Sequence, residues 1–453
     1  MLAGYLGHSL SVMWTIRLPA VILITACACV GCGDDGDSSL SSANYSLELS
    51  WSDRSDSAVP YKVIAADGVA VVSGRISQTE YDDYLVRAYD GAAGTVRWQD
   101  RPDAGCNSGA GDMVVHDGLL FVAGNLCSRY VLRAYELQTG GVVWEHQGST
   151  EDQSSAGNLV IGGNVLVFFG AEAGVAFIRA YSPSSGELLW EQLSEGVSVS
   201  GRGDSTTLVT SHFIRELNTY HYVFRAYEIA SGEPLWELTE IHGEPIGAPY
   251  ETAVGEGLFV SYVETRDEPH TWWLTAVSLS TGEVTWQRSV FEHRGFDELL
   301  IASDCVHTVG VQGVYDPNSD VWRNALYVSC IDTLSGSSLW EDQRGGMSGD
   351  LEGRFGARDG RTLAIVGFEM ELWVYDAVTG ELVFESLEPV DGRGGPVAID
   401  GNRIYVVGEV FADEQNPSNG ALIRAYRESR PVLASTASPS VTRAASRARS
   451  ETD

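Results

Sequence analysis

The sequence predicts an all-β fold: an eight-bladed β-propeller of four-stranded antiparallel blades, with the ring closed by the N-terminal strand. Three observations carry this expectation. A frame ending in Trp returns along the whole body, an apolar strand precedes each copy, and one lone alternating strand stands far upstream of the repeats.

The frame first reads RAYDGAAGTVRW, from Arg87 to Trp98. It returns as RAYELQTGGVVW to Trp144, RAYSPSSGELLW to Trp190 and RAYEIASGEPLW to Trp236. It drifts through TAVSLSTGEVTW to Trp286, SCIDTLSGSSLW to Trp340 and WVYDAVTGELVF to Phe384, and a last RAY opens at Arg424. Starts at 87, 133, 179, 225, 275, 329, 373 and 424 give spacings of 46, 46, 46, 50, 54, 44 and 51 residues. Periods of this size with strand-like content mark a propeller or a similar array. Repeats of this kind add units around one ring, where a length of 453 residues alone would predict two or three domains.

The upstream strands read DGVAVVSG from Asp67, DGLLFVAG from Asp117, GGNVLVFFG from Gly162 and STTLVTSH from Ser205. The others are GEGLFVSYV from Gly255, SDCVHTVG from Ser303, DGRTLAIVGF from Asp359 and DGNRIYVVG from Asp400. Such continuous apolar runs fit inner strands covered on both faces. The Asp-Gly and Gly-Xaa pairs before them are hairpin turns that need positive φ. With 50 glycines and no collagen-like period, the composition agrees with many tight turns.

Within the frame a small residue comes first: Ala88, Ala134, Ala180, Ala226 and Ala276. Next comes a turn glycine: Gly94, Gly140, Gly186, Gly232, Gly282, Gly336 and Gly380. The aromatic follows, giving an Ala-x5-Gly-x3-Trp pattern that departs at Cys330 in the sixth unit and at Val374 and Phe384 in the seventh. This pattern resembles the docking motif of the PQQ-like propeller repeats of quinoprotein alcohol dehydrogenase-like proteins and their non-catalytic BamB-like lipoprotein branch. The resemblance spans about residues 45–427 and implies that each Trp packs across the gap between neighbouring blades.

The eighth unit stops at Tyr426 without an outermost strand. Tyr45-Ser-Leu-Glu-Leu-Ser-Trp51 alternates strictly and ends in Trp, so it is expected to complete blade eight and remove the exposed edges. The expected organisation is a lipoprotein signal peptide over 1–32, a flexible tether over 33–44, the propeller over 45–427 and a disordered tail over 428–453. The tail is rich in Ser, Ala and Arg and lacks a packing pattern, so its removal is expected to leave stability unchanged.

The leader rests on LPAVILIT, residues 18–25, an apolar run behind Arg17 that is too short to span a bilayer. Met13 offers an alternative start. ITACACVGCGDDGDSS then reads as a lipobox running into a polar tether, with lipidation at Cys32 (or Cys27). The competing readings are a cleaved signal with incidental cysteines and an uncleaved anchor. Each places the body in a compartment where disulfides persist. Cys305 and Cys330 lie at the same end of adjacent strands, and Cys106 and Cys127 lie in loops on one face, so these are the expected pairs. Four reduced, buried thiols are the alternative.

A net charge of −33 repels phosphate backbones, so no nucleic-acid partner is expected; the acidity reads as solubility, or as a face for cationic ligands. No catalytic, cofactor-binding or metal residues are assigned. The nine histidines show no HxH or HExxH spacing, and no nucleophile elbow or P-loop occurs. The quinoprotein resemblance would imply PQQ and Ca²⁺ in the central funnel against two adjacent cysteines, yet no Cys-Cys pair exists here. Asp316-Pro317-Asn318-Ser319-Asp320 lacks the glycine and closing Glu of a calcium loop. Arg202-Gly203-Asp204 is read as a chance tripeptide in an inter-blade loop. Tyr220-His221-Tyr222 and Trp272-Trp273 are read as strand-edge packing ahead of exposed binding aromatics.

The function expected is a non-catalytic, protein-binding scaffold, by resemblance in outer-membrane protein assembly. It would be a monomeric propeller, lipid-anchored in the bacterial envelope at the outer membrane, with a protein partner there. The alternatives are a PQQ-dependent dehydrogenase or ligand sensor using the funnel, and a surface lipoprotein that binds glycans or proteins.

Overall fold

A computed structural model of the protein describes residues 45–429, apart from 79, 103, 150–153, 195–197, 217–218, 240–250, 266–270, 291–293, 303–304, 317–320, 348–354, 368, 387–389 and 412–418. The signal peptide, Cys27, Cys32, the tether, and the tail from residue 430 lie outside the described residues, as does the Asp316–Asp320 motif beyond its first residue.

All regular structure among the described residues is β, in 32 strands numbered in chain order. The first strands of the blades are β2 (Ala58–Ala66), β6 (Ser108–His116), β10 (Ser154–Gly162), β14 (Ser198–Gly203), β18 (Glu251–Gly255), β22 (Arg294–Ala302), β26 (Phe355–Asp359) and β30 (Gly392–Asp400). The second strands are β3 (Val69–Ser77), β7 (Leu119–Leu126), β11 (Val165–Glu172), β15 (Thr207–Glu216), β19 (Leu258–Thr265), β23 (Cys305–Asp316), β27 (Thr362–Val366) and β31 (Arg403–Val410). The third are β4 (Asp82–Asp90), β8 (Arg129–Glu136), β12 (Val175–Tyr181), β16 (Thr219–Glu228), β20 (Thr271–Ser278), β24 (Val321–Asp332), β28 (Leu372–Asp376) and β32 (Gly420–Ser429). The fourth are β5 (Val96–Asp100), β9 (Val142–Gln147), β13 (Leu188–Leu193), β17 (Pro234–Thr239), β21 (Val284–Val290), β25 (Ser338–Met347), β29 (Leu382–Ser386) and, for blade eight, β1 (Ser46–Asp56).

Each blade is one antiparallel four-stranded sheet, as β2-β3-β4-β5 shows, and the eighth has the order β1-β32-β31-β30. Each first strand touches the first strand of the next blade, and β30 returns to β2, so the eight form a ring. They are the innermost strands and line a central channel. The continuous apolar runs are the second strands, one step out from the channel. Val69, Ala70 and Val71 on β3 are fully buried because neighbouring blades cover both faces.

The hairpins follow their turn chemistry. Asp67 and Gly68 take φ of 51° and 72°, and Asp117 and Gly118 take 46° and 75°. Two consecutive positive values are what a two-residue turn needs to match the twist of its strands.

β1 pairs with β32 from Ser46↔Ser429 to Asp56↔Gly420 and passes into β2 through the single residue Ser57, at φ 60°. The outer strand of blade eight therefore continues directly as the inner strand of blade one. β32 runs past Tyr426, and Glu428 accepts hydrogen bonds from the Tyr45 hydroxyl (2.8 Å) and the Thr362 hydroxyl (3.1 Å).

Candidate functional site

The channel is where the blades bring polar chemistry together. Five first strands are bulged at one level, at Pro60/Lys62, Ala110/Met113, Ala156/Leu159, Phe296/Glu298 and Gly394/Val397. A bulge leaves a residue unpaired and re-aims its side chain. At this level Lys62 and Asp112 form an ion pair between blades one and two. The other Asp112 oxygen accepts from the Leu159 backbone N–H of blade three at 2.7 Å. Asn158 Nδ2 donates to the Gly201 carbonyl of blade four at 2.7 Å, and Arg202 Nη2 reaches Glu251 Oε1 of blade five at 3.2 Å. A continuous polar belt thus runs through five blades.

Glu298 of blade six feels the charges of this belt. Burial, reinforced by the Glu251 carboxylate, pushes its carboxyl up to about 8, against the opposing pull of Arg202 and Lys62. One carboxyl that responds to charges from blades one, four and five lies with them in a common channel. Glu298 keeps some water contact, yet protein encloses most of it. The Glu251 carboxyl is also raised, chiefly by burial and against Arg202. The belt can hold a proton and orient a polar ligand.

Two disulfides lie in the blades. Cys106 and Cys127 are joined with Cα atoms 5.2 Å apart, tying the segment before β6 to the β7–β8 turn. Cys305 and Cys330 are joined across β23 and β24 at 5.5 Å. Neither matches the adjacent-cysteine stack that the quinoprotein resemblance implies, so the residues present do not fit that cofactor arrangement. Cys305, His307 and Cys330 place ligand-type atoms within 4.8 Å of one another, but the sulfurs are bonded and His307 Nε2 is 2.9 Å from the Ala377 carbonyl oxygen.

The frame residues form a girdle outside the channel. Each Trp lies over the turn glycine of the next blade: Trp51 over Gly94, Trp98 over Gly140, Trp144 over Gly186, and Trp190 over Gly232. Trp236 covers Gly282, Trp286 covers Gly336, and Trp340 covers Gly380. A Cβ on Gly94 would stand 2.5 Å from the Trp51 ring, and φ there is +71°, so two independent constraints require glycine. The indoles also donate to next-blade carbonyls, as Trp98 Nε1 does to Leu137 O (2.9 Å) and Trp236 Nε1 to Leu279 O (2.7 Å).

On its own blade each Trp pairs with the small residue: Ala88 with Trp98, Ala134 with Trp144, Ala180 with Trp190, Ala226 with Trp236, and Ala276 with Trp286. Where Val374 replaces Ala, its partner is the smaller Phe384. Phe384 faces blade eight, whose fourth strand comes from the N-terminus, so no turn glycine or turn carbonyl is there for an indole to meet. Between blades six and seven, His307 has taken the carbonyl and Trp340 Nε1 is buried without a partner among the described residues.

The frame tyrosines add a second interblade tie that the sequence reading missed. Tyr89 donates to Asp53 (2.9 Å), Tyr135 to Asp100 (2.7 Å) and Tyr375 to Asp342 (2.9 Å). Each acceptor stands two residues after a docking Trp, a W-x-D signal present in the sequence. Burial raises the Tyr89 phenol to about 12 and raises Tyr135 further still.

Arg202-Gly203-Asp204 is not in a loop, contrary to expectation. Arg202 and Gly203 end β14 in the channel wall, and Asp204 Oδ1 closes the next turn by accepting from Thr206 N (2.7 Å) and Thr207 N (2.8 Å). Trp272 stacks on Tyr262 at 4.9 Å, in keeping with strand packing. Tyr220-His221-Tyr222 lies on β16, and its side chains are outside the described ones.

With a closed eight-bladed ring and its indole girdle established, the class is defined: the chain belongs to the family described as outer membrane protein assembly factor BamB, whose profile matches residues 48–288, 180–316 and 324–429. Among solved structures it is similar to BamB from Moraxella catarrhalis, with a TM-score of 0.54 and 13% identity over 84% of this chain and 100% of that one. It is also similar to the quinohemoprotein alcohol dehydrogenase of Comamonas testosteroni, with a TM-score of 0.56 and 14% identity over 86% of this chain and 77% of that one. The quinohemoprotein alcohol dehydrogenase ADHIIG of Pseudomonas putida HK5 gives 0.54 and 14% over the same shares. At these identities the structural likeness concerns the fold. No curated protein sequence matches the chain.

Proposed function

We propose that the protein is an exported, lipid-anchored, non-catalytic scaffold that binds another envelope protein, in the setting of outer-membrane protein assembly. The observation that carries this is a belt of exposed aliphatic side chains on the outer strands of consecutive blades. Val142 and Val143 are 54% and 44% exposed, Leu188 and Leu189 are 48% and 46%, and Leu193 and Leu235 are 67% and 51%. A monomer gains nothing from presenting repeated apolar pairs to water, whereas a protein interface buries them. The same strands are open sheet edges, whose unpaired backbone groups suit a partner strand. Family membership supports the assembly setting.

The test is capture of the tagged lipoprotein from gently solubilised envelopes, beside a Leu188→Glu/Leu189→Glu variant. The expected result is co-recovery of β-barrel assembly subunits with the parent and loss with the variant. Recovery of the parent chain alone would remove the scaffold reading and leave the channel as the working site.

A further inference from the structure

We infer that a polar cup at the channel mouth, shared by blades one, two and three, is a binding site for a neutral saccharide. It is separate from the aliphatic rim and goes beyond the scaffold reading. The cup is a cavity of about 440 Å³, within the roughly 300–1,000 Å³ of small-ligand sites. It lies at the end of β6 that begins with Ser108, away from the Asp117-Gly118 turn.

Its wall is an aromatic platform backed by a neutralised ion pair. Tyr61 is 43% exposed, the Arg75 guanidinium lies 5.9 Å from its ring centroid, and Arg75 Nη1 donates to Asp82 Oδ2 at 2.6 Å. The two charges cancel locally, so a net ionic ligand gains little here, and the chain's overall charge of −33 disfavours anions. An exposed tyrosine face instead suits the C–H face of a sugar ring, apolar in body and polar at the edge.

The hydrogen-bonding groups are fixed in advance. Asn107 Oδ1 accepts from Asp82 N (3.0 Å), and Asn125 Oδ1 accepts from Ala156 N (3.1 Å). Each amide oxygen is therefore committed, and the orientation leaves each NH₂ as a donor at the cup. Asp82 uses only Oδ2 toward Arg75, so its Oδ1 remains an acceptor. Vicinal hydroxyls, each both donor and acceptor, answer such a mixed set; an apolar ligand would leave it unpaired. The Cys106–Cys127 disulfide stiffens the rim, and Cys127 itself lines the cup.

The floor is cleared by glycine. On Gly124 a Cβ would meet Gly109 O at 2.4 Å, so that position admits no side chain. On Gly109 the nearest atoms are Tyr61 Cε2 at 3.4 Å and Arg75 Cβ at 3.9 Å, ordinary contacts. A Gly109→Val substitution therefore fills the cup from a strand position β-branched residues favour.

The experiment is saturation-transfer NMR and calorimetric titration of the full propeller with maltose, cellobiose and N,N′-diacetylchitobiose as probes. At least one disaccharide is expected to bind. Its affinity should fall at least tenfold in Tyr61→Ala, Asn125→Ala and Gly109→Val while the thermal midpoint of Asn125→Ala stays near that of the parent. Absence of binding by all three probes, or binding indifferent to the three substitutions, overturns the inference. Capture of partner proteins by the rim is unaffected by either result, so the two proposals fail separately.

Discussion

At the scale of single residues, the channel belt was the least legible feature of the sequence. Six of the eight blades contribute one polar side chain each, of five types: Lys62, Asp112, Asn158, Arg202, Glu251 and Glu298. Nothing in a linear reading aligns them. They meet only once the ring has closed and brought the first strands side by side, four of which are bulged beside these residues. Glu298 has a consequence that pH can expose. Its carboxyl ionises at an ordinary 4.5 in the unfolded chain and at about 8 in the native one. Below pH 4.5 both states hold the proton; between the two values the native state holds more protons, so stability falls as pH rises; above 8 the contribution is constant. A Glu298→Gln variant lacks this loss. Parent minus variant should decline across that window by up to about 1.4 kcal/mol per pH unit and be flat outside it. Denaturant titrations at intervals from pH 4 to 9 would measure the difference, and parallel curves throughout would place Glu298 in open solvent.

At the scale of elements, the blades were readable because their contacts repeat. Ala-x5-Gly-x3-Trp puts one small residue, one positive-φ turn and one indole in each of the first five units, and three roles at fixed offsets survive drift elsewhere. The departures are interpretable for the same reason. Phe384 stands where the next blade has no turn to meet, and His307 stands where a Trp has lost its carbonyl. The apolar runs are second strands covered on both faces, as their continuous hydrophobicity implied. Burial on both faces marks a strand sandwiched between blades, while the innermost strand faces a polar channel. The girdle also sets a magnitude. Trp98 is only half-buried, since its outer edge meets water, but it covers Gly140, stacks on Tyr135 at 5.6 Å and donates to Leu137 O. Trp98→Ala should cost about 3 kcal/mol, at the lower end for truncating a large aromatic. Trp98→Phe should restore most of the packing while leaving the Leu137 carbonyl unpaired. Equal midpoints for the alanine variant and the parent in urea would show that the girdle is ornamental to stability.

At the scale of the whole molecule, the ring depends on a strand that lies outside the run of repeats and is implied by the one strand the eighth unit lacks. β1 supplies the fourth strand of blade eight, places Trp51 over Gly94 and runs into β2 through Ser57, so one segment closes the circle from both sides. Without it β32 becomes an open edge beside exposed apolar surface, and an open edge recruits other chains. Deleting residues 45–51 should therefore lower the unfolding midpoint and drive concentration-dependent aggregation, read by light scattering during refolding. The opposite terminus gives the control, with its boundary moved by the structure. Glu428 pairs with Leu47 and accepts from Tyr45 and Thr362, so a truncation that begins at residue 428 removes part of the closure itself. Deleting only residues 430–453 should leave both midpoint and scattering unchanged, whereas deleting 428–453 should weaken the parent measurably. If loss of 45–51 and loss of 430–453 were tolerated equally, the ring would not need its N-terminal strand, and closure would have to come from contacts between β30 and β2 alone.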